Sequence, residues 1–350
     1  MLPTSGTFNF QSIQIELIIR EAFERIGISG EFIEPVKLES AKRSIDLLFL
    51  DWMNKSVNLW TLEKAYLPLV PLTGQYLLDT NVSNIIQANL RTSTRVLDGV
   101  PSSVPGGIAA DAFDGDPGTA CTQTGINGYI AYIYTGSTQQ INFIGITSNQ
   151  NRQYTLTIEI TQDLINWITL FDIPVQSFQK GVNVWFDVPT SLAAAGYRIR
   201  ETGGAILDIQ EIYFNNNVVD FAISNVSREE YYTYPNKYLA SRPSVYYLDR
   251  QISPVLTIWP IPTADYNCLQ YTYKKMIQDA GLLYTNTVQI PARFYPALIW
   301  GVSWQLALKF NPQAAQMLKI EYEQAFDVAT REDSESTPIS IMGDTNSYRE

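Results

Sequence analysis

The chain has 350 residues, of which 45% are hydrophobic and 17% charged, and its formal net charge is −11. This composition excludes global disorder, and no apolar run approaches the ~18 residues of a membrane-spanning helix. The absence of histidine excludes Ser-His-Asp and Cys-His catalysis, and two cysteines are too few for a disulfide framework or a Cys-only zinc site. An acidic surface disfavours binding to phosphate backbones, although it does not exclude a channel through which DNA slides without sticking.

The first predicted elements are two helices within residues 11–57. In IQIELIIREAFERIGI, apolar residues recur at helical spacing from Ile15 to Ile26. Gly27 is a stop signal, and Pro35 suits the first turn of the second helix. Short strands are then predicted for residues 61–91, around a turn at Thr73-Gly74.

A change of composition marks residues 95–217, where Gly, Asn, Thr and Ser increase and helix signals nearly vanish. YTLTIEIT alternates cleanly between apolar and polar residues, as a half-buried strand does. Several such runs separated by turns predict a β-sandwich. The runs are GYIAYIYT, QINFIGITS, YTLTIEIT, NVWFDV, YRIRETG and LDIQEIYF.

Strands and then helices follow this block. VLTIWPIP and CLQYTYKKM are the clearest strands, and Pro260 and Pro262 predict an edge or a strand end. The segment Phe294–Phe310 is apolar almost all round, so we expect a buried helix. Asn311 and Pro312 then predict an N-cap and a first-turn proline for a last, amphipathic helix.

Helices and short strands at both ends, with an all-β block between them, predict a domain inserted into a loop of another domain. The predicted core comprises residues 1–94 plus 220–332, and the predicted insert comprises residues 95–219. Residues 333–350 are polar without a period, which predicts an extended tail that is disordered when alone. The opening MLPTSGTFNFQS lacks the basic and apolar regions of a signal peptide, so we expect the protein to be made and kept in a cytoplasm.

Segments of the predicted core carry a family resemblance. The first is DWMNKSVNLWTLEKAYLPLVPLTGQYLL, with NLWTLE as its most specific part, and the second is SVYYLDRQISPVLTIWPIP, followed by IPARFYPAL and LKIEYE. In this order they resemble the head-to-tail adaptor family of tailed bacteriophages, also described as packaged-DNA stabilisation or tail accessory proteins. The resemblance covers about two thirds of the chain.

The resemblance implies a structural virion protein of the neck or tail, assembled in the host cytoplasm, which is neither an enzyme nor bound to a membrane. Such adaptors form a homo-oligomeric ring, commonly a dodecamer, between the portal protein and the tail or nozzle proteins. The ring extends the DNA channel and helps to retain packaged DNA, which passes through without sequence-specific contact. The C-terminal tail, with Ser334, Tyr348 and Glu350, is then expected to bind the portal.

The β block carries a second resemblance, in AFDGDPGTACTQTGINGYIAYIY, in YTLTIEITQDLINW and in YRIR followed by DIQEI. These segments resemble discoidin-type, galactose-binding-like domains, which include many carbohydrate-binding modules. Cys121 stands where that family usually has Trp, and QDLIN replaces its Ser-x-Asp-Gly turn. The implied fold class is α+β and multidomain, with a small helical core with short β-strands interrupted by an all-β jelly-roll sandwich.

In many such modules the first turn binds a structural calcium ion. The matching positions here are Asp114, Asp116, Thr119 and Glu211. Carboxylate and hydroxyl oxygens suit Ca²⁺, whereas an EF-hand is excluded because its later carboxylates and flanking helices are missing. A metal-free turn, in which the Asp side chains bind backbone N–H groups, is the open alternative.

An alternative function is glycan recognition by the inserted sandwich. Its aromatic candidates are Tyr129, Tyr132, Trp167 and Trp185, which lie in or beside strand-like runs and are therefore expected mainly in the core. Trp52 and Trp60 are expected to be packing residues as well.

Overall fold

The computed structural model describes residues 13–29, 33–55, 59–189, 192–263 and 268–333. Its helices are α1 (Ile15–Arg25), α2 (Pro35–Lys55), α3 (Arg228–Thr233), α4 (Tyr295–Phe310) and α5 (Ala315–Glu332). Its strands are β1 (Leu62–Pro68), β2 (Gln75–Leu77), β3 (Val82–Arg95), β4 (Gly99–Val104), β5 (Cys121–Thr122), β6 (Tyr129–Tyr134), β7 (Gln139–Gln140), β8 (Phe143–Ser148), β9 (Arg152–Thr161), β10 (Trp167–Phe178), β11 (Asn183–Asp187), β12 (Ala193–Ala194), β13 (Gly196–Glu201), β14 (Asp208–Asn225), β15 (Val245–Asp249), β16 (Val255–Trp259) and β17 (Cys268–Lys275). Helices and sheets are both extensive, which confirms a mixed α and β architecture.

The described residues form two compact units. The first takes those of 1–63, 79–84 and 273–350, and it holds α1, α2, α4 and α5. The second takes 64–78 and those of 85–272, and it holds the sandwich together with the strands that continue from it.

The first unit is packed by the apolar faces of its helices. The predicted period in α1 is confirmed, since Ile15, Ile18, Ile19, Ala22 and Phe23 are all buried. The predicted boundaries are confirmed as well: α1 ends before Gly27, and α2 begins at Pro35. At the centre, the indole N–H of Trp52 donates to the hydroxyl of Tyr322 at 3.0 Å, and both side chains are buried.

The second unit contains a β-sandwich. A five-stranded sheet runs in the order β10-β9-β13-β6-β4, and β14 pairs with β8 and β5 in another sheet. Inward residues of both sheets share one apolar core, to which Leu156 and Ile158 of β9 and Ile212 and Phe214 of β14 contribute. The predicted alternation of YTLTIEIT is therefore confirmed, whereas the jelly-roll strand order stays a prediction.

The sandwich continues directly into its flanking strands. β14 pairs with β3 from Asn215–Arg95 to Ile223–Ala88, beyond the predicted block. β14 also pairs with β15, then β15 with β16, and β16 with β2. The predicted boundaries near 95 and 219 thus fall inside β3 and β14, because a change in composition does not interrupt a hydrogen-bonded ladder. The insertion itself stays a prediction.

Three local features differ from expectation. β10 was not predicted, because Pro174 and two register irregularities break its alternation. The short helix α3 was also missed, although Ser227 caps it by accepting the N–H of Glu230. Asn311 precedes Pro312 as predicted, but its side chain donates to the carbonyl of Ile26 at 3.1 Å instead of capping the helix.

Candidate functional sites

The predicted metal turn is held together by its own side chains. Asp114 accepts the backbone N–H of Asp116 at 2.9 Å and the hydroxyl of Thr119 at 2.9 Å, while Asp116 accepts the N–H of Gly118 at 2.8 Å. The bond from the Asp116 N–H lowers the pKa of the Asp114 carboxyl below its usual value. Gly115 has a φ of 79°, in the left-handed region that favours glycine.

Glu211 reaches this turn from β14, as the resemblance implied. Its side chain is buried, and its Oε1 accepts the N–H of Gly115 at 2.6 Å. Its other oxygen, Oε2, accepts a bond of 2.6 Å from Nη2 of Arg95. Burial raises the pKa of Glu211, and the charge of Arg95 opposes that rise. The structure therefore brings Asp114, Thr119 and Glu211 together, with an arginine that sequence reasoning missed.

This arrangement does not fit a calcium ion. Calcium takes six to eight oxygens, but the buried Glu211 already pairs with the guanidinium of Arg95, and the Asp116 carboxylate accepts the N–H of Gly118. Within the described ranges, no group of three or more Cys, Asp or Glu side chains is arranged to hold a metal ion. Calcium binding stays a prediction of the resemblance, and the geometry argues against it.

The four aromatic candidates separate into two pairs. Tyr132 and Trp185 are buried, with the Tyr132 ring centroid 4.7 Å from that of Phe113 and the Trp185 ring stacked 4.6 Å from Phe143. These two are core residues, as expected. Tyr129 and Trp167 are only half-buried.

Tyr129 and Trp167 lie on either side of Arg198. The guanidinium carbon of Arg198 is 4.7 Å from the Tyr129 ring centroid and 4.3 Å from that of Trp167. Its Nε donates to the carboxylate of Glu159, and both charged residues are buried. Because the neighbouring residues of β13 point into the core, this group lies on the outer face of the five-stranded sheet. Half-exposed flat rings beside paired charges are groups that can hold a sugar ring.

A tyrosine-lined cavity was not anticipated from the sequence. Its volume is about 510 Å³, and its lining includes Tyr231, Tyr232, Lys237, Tyr238 and the turn 72–75. The Lys237 ammonium donates to the carbonyl of Tyr231 and lies 4.2 Å from that ring centroid. Tyr238 is 86% exposed, so the cavity presents a flat aromatic ring to solvent. The tyrosine-dense run EEYYTYPNKY was the available signal.

The remaining predicted residues are two tryptophans of the first unit and three residues of the C-terminal tail. Trp52 is fully buried, and Trp60 packs 6.1 Å from Phe294, so the expectation of packing roles is confirmed. The predicted portal-binding residues Ser334, Tyr348 and Glu350 lie outside the described residues. Among the helices of the described ranges, none combines the length and the apolar character needed to cross a membrane.

Comparison with protein families places the chain among phage structural adaptors. The family described as SU10 adaptor protein matches residues 159–342, more than half of the chain. That range begins in β9 of the sandwich and extends through α4 and α5. The chain belongs to the SU10 adaptor family, and it is therefore a virion component. No curated protein matches it.

Solved structures with some similarity include carbohydrate-binding modules. The family 32 module of AlyQ, in complex with 4,5-unsaturated mannuronic acid, is 16% identical with a TM-score of 0.32, over 35% of this chain and 98% of that one. The family 32 module of Clostridium perfringens NanJ, in complex with galactose, is 13% identical with a TM-score of 0.30, over 36% and 100%. An F5/8 type C domain from Bacteroides fragilis is 12% identical with a TM-score of 0.31, over 36% and 97%.

Proposed function

We propose that this protein assembles into a homo-oligomeric ring, commonly dodecameric in such adaptors, that joins the portal to the tail or nozzle proteins. The ring extends the DNA channel and helps to retain packaged DNA, which passes through without base-specific contact. The role is structural and includes no catalytic step. The observation that carries the proposal is the adaptor-family match, which draws on both compact units of the chain.

Two exposed apolar stripes on the first unit support ring formation. A ring of identical subunits needs two different surfaces on each subunit, because every contact is head-to-tail. On α2, Leu47 and Leu50 are 58% and 48% exposed. On α5, Met317, Ile320 and Val328 are 59%, 46% and 61% exposed, at helical spacing. Apolar side chains of this kind form the centre of obligate subunit contacts.

Paired charge substitutions test this assembly. Leu47→Glu with Leu50→Glu alters the α2 stripe, and Met317→Glu with Ile320→Glu alters the α5 stripe. We expect each double variant to sediment as a folded monomer, because a buried unpaired carboxylate opposes association. A mixture of the two should form dimers, since each retains the surface that the other lacks.

The matched control is Ile165→Glu, which places the same charge on a sandwich turn where the side chain is 81% exposed. This variant should form the ring seen with the wild type. Rings that persist in both double variants would show that the two stripes are not the contact surfaces of the ring. Negative-stain images of the wild type with portal should show a ring that extends the portal, and a persistent monomer would contradict the adaptor role.

The tail is proposed to be the portal-binding segment. A chain ending at Asp333, which removes Ser334, Tyr348 and Glu350, should still form the ring but lose its affinity for portal. Co-sedimentation with portal measures this loss. Unchanged binding by the shortened chain would place the portal contact elsewhere.

Glycan recognition is a second candidate function, favoured by the arrangement of Tyr129, Arg198 and Trp167 on the outer face of the sandwich. A sugar ring stacks its C–H face on an aromatic ring, while its hydroxyls bond to charged groups. We expect the full chain to bind a subset of glycans on an array and Trp167→Ala to lose that binding.

The control for this test is Ile168→Ala, at the next residue of β10, which is 63% exposed and points to the opposite face. It should bind the same glycans as the wild type. No glycan binding by the wild type, or equal loss in both variants, would remove this candidate function.

A further inference from the structure

Glu211 is a buried carboxylate that requires a counter-charge. It is 3% exposed, and its neighbour in the turn, Asp114, is itself a carboxylate within hydrogen-bonding reach. Burying an uncompensated charge costs several kcal/mol, so Glu211 in its charged form needs a cation beside it. In the galactose-binding-like domains that this sandwich resembles, the expected cation is calcium.

The cation present is the guanidinium of Arg95, the last residue of β3. Its Nη2 lies 2.6 Å from Oε2 of Glu211, 2.6 Å from the carbonyl oxygen of Ile212 and 3.4 Å from that of Ala112. One carboxylate and two carbonyls are the kinds of oxygen that calcium takes. Ala112 precedes the turn and Ile212 follows Glu211 on β14, so one nitrogen joins the first turn to the last strand.

The guanidinium also packs against an aromatic ring. Its central carbon lies 4.4 Å from the ring centroid of Tyr213, and the Arg95 side chain is 16% exposed. The ladder between β3 and β14 pairs Arg95 with Asn215, which brings the arginine alongside the end of β14 that carries Glu211. The pairing of β3 with β14 therefore positions the cation beside Glu211.

We propose that the Arg95 guanidinium takes the place of a calcium ion in closing the first turn of the sandwich onto its last strand. The turn is consequently independent of divalent metal. The other predicted calcium ligands serve the turn itself, since Asp114 and Asp116 accept backbone N–H groups within it.

Thermal unfolding of the full chain tests directly whether the turn is independent of divalent metal. With calcium at about 5 mM, above the dissociation constants of weak calcium modules, or with a chelator, the midpoint should stay within about 1 °C. Calorimetric titration should show no binding heat. A midpoint that rises with calcium or falls with the chelator would overturn the proposal.

Substitution of the arginine tests the charge. Arg95→Met should lower the midpoint by roughly 10 °C, because Glu211 is then buried without a cation. Arg95→Lys should lose less, since it retains the charge. Of these proteins, only Arg95→Met should regain part of its lost thermal stability when calcium is added, because the three oxygens are then free for an ion. If calcium restores none of it, the guanidinium does not take the place of a calcium ion.

Arg152→Met is the matched control, because Arg152 donates to the carbonyl of Ile206 at 3.0 Å on another part of the sandwich. It should lose little stability and not respond to calcium. If Arg95→Met does not fold, adding Glu211→Gln removes the buried charge and should restore folding. Failure of that double variant to fold, or equal losses in Arg95→Met and Arg152→Met, would overturn the proposed role.

Discussion

The second compact unit buries more charged side chains than the first, where Lys274 and Asp333 are the buried charged residues of the described ranges. The core of the first unit is apolar helix faces around Trp52 and Tyr322, and helices satisfy their own backbone hydrogen bonds. The second unit buries arginines and carboxylates that must be paired, as in Arg198 with Glu159 and Arg95 with Glu211. A sheet has two faces, and the face opposite its apolar core carries polar residues that become buried when further elements cover it. The first unit should therefore respond mainly to lost volume, and the second to lost charge and to pH.

The largest expected effect is in the first unit. Trp52→Ala should lower the free energy of unfolding by about 3–5 kcal/mol, because it leaves a cavity and removes one hydrogen-bond donor to the Tyr322 hydroxyl. Urea unfolding followed by far-UV circular dichroism measures the loss. Trp300→Ala, whose half-buried ring lies under Arg25 at 3.7 Å, should lose much less. Similar losses in the two variants would contradict an apolar core centred on Trp52.

The next effect concerns the buried network of the second unit. Arg91 is 6% exposed and donates to Asp187 and Asp220, while Tyr66 also donates to Asp187. Arg91→Met should lower the free energy of unfolding by about 2 kcal/mol, less than for a fully buried pair because both carboxylates are partly exposed.

Arg228→Met is the control for Arg91→Met, because it removes the same charge from the exposed first turn of α3. Its urea midpoint should equal that of the wild type. Equal midpoints for Arg91→Met and Arg228→Met would show that the network contributes nothing measurable.

A smaller effect should appear in acid. Burial acts to raise the pKa of Asp187, but hydrogen bonds from Lys64 and Tyr66 and the charge of Arg91 outweigh it, so this pKa is lowered. A carboxyl with a lowered folded pKa stabilises the protein above its unfolded value of about 4, and this stabilisation is lost as the pH falls through the folded value.

Asp187→Asn should therefore flatten the acid limb of a stability–pH curve, by less than about 1 kcal/mol because the Asp187 side chain is 43% exposed. Urea midpoints between neutral pH and pH of about 3 measure the slope. Asp163→Asn does not test the network of Asp187, since the Asp163 carboxylate lies on an exposed turn outside it. An acid limb steeper in Asp187→Asn than in the wild type would contradict a stabilising role for the charged Asp187.

A last effect, close in size to the one in acid, should be the same in both units. Gly27 and Gly115 have φ values of 83° and 79°, and an added Cβ would meet no atom within 4 Å at either position. Gly27→Ala and Gly115→Ala should each cost about 1 kcal/mol, because the strain is in the backbone alone. Unequal losses in urea unfolding would show that one of these turns contributes more than its backbone conformation.

Periodic elements were predictable from local sequence. The helical spacing in α1, the proline at the start of α2 and the alternation of β9 each reflect one buried face of a regular element, so neighbouring residues are enough to indicate them. β10 was missed because Pro174 and its irregular pairing with β9 hide that pattern.

The candidate sites were predictable only in part. The Asp114 turn is local, and its Asp–Gly composition indicates it directly. The roles of Tyr129 and Trp167 were not separable from those of Tyr132 and Trp185, because all four lie in strand-like runs. Their exposure depends on which face of each strand another sheet covers.

The helix-rich ends, the strand-rich middle, the exclusion of histidine chemistry and the resemblance to phage adaptors can all be read from local sequence. Which charges meet depends on the tertiary structure. Arg95 and Glu211 are 116 residues apart, and no local pattern links them. The register of β3 on β14 places them together, and since burial makes an unpaired carboxylate costly, that register also decides which cation the turn contains.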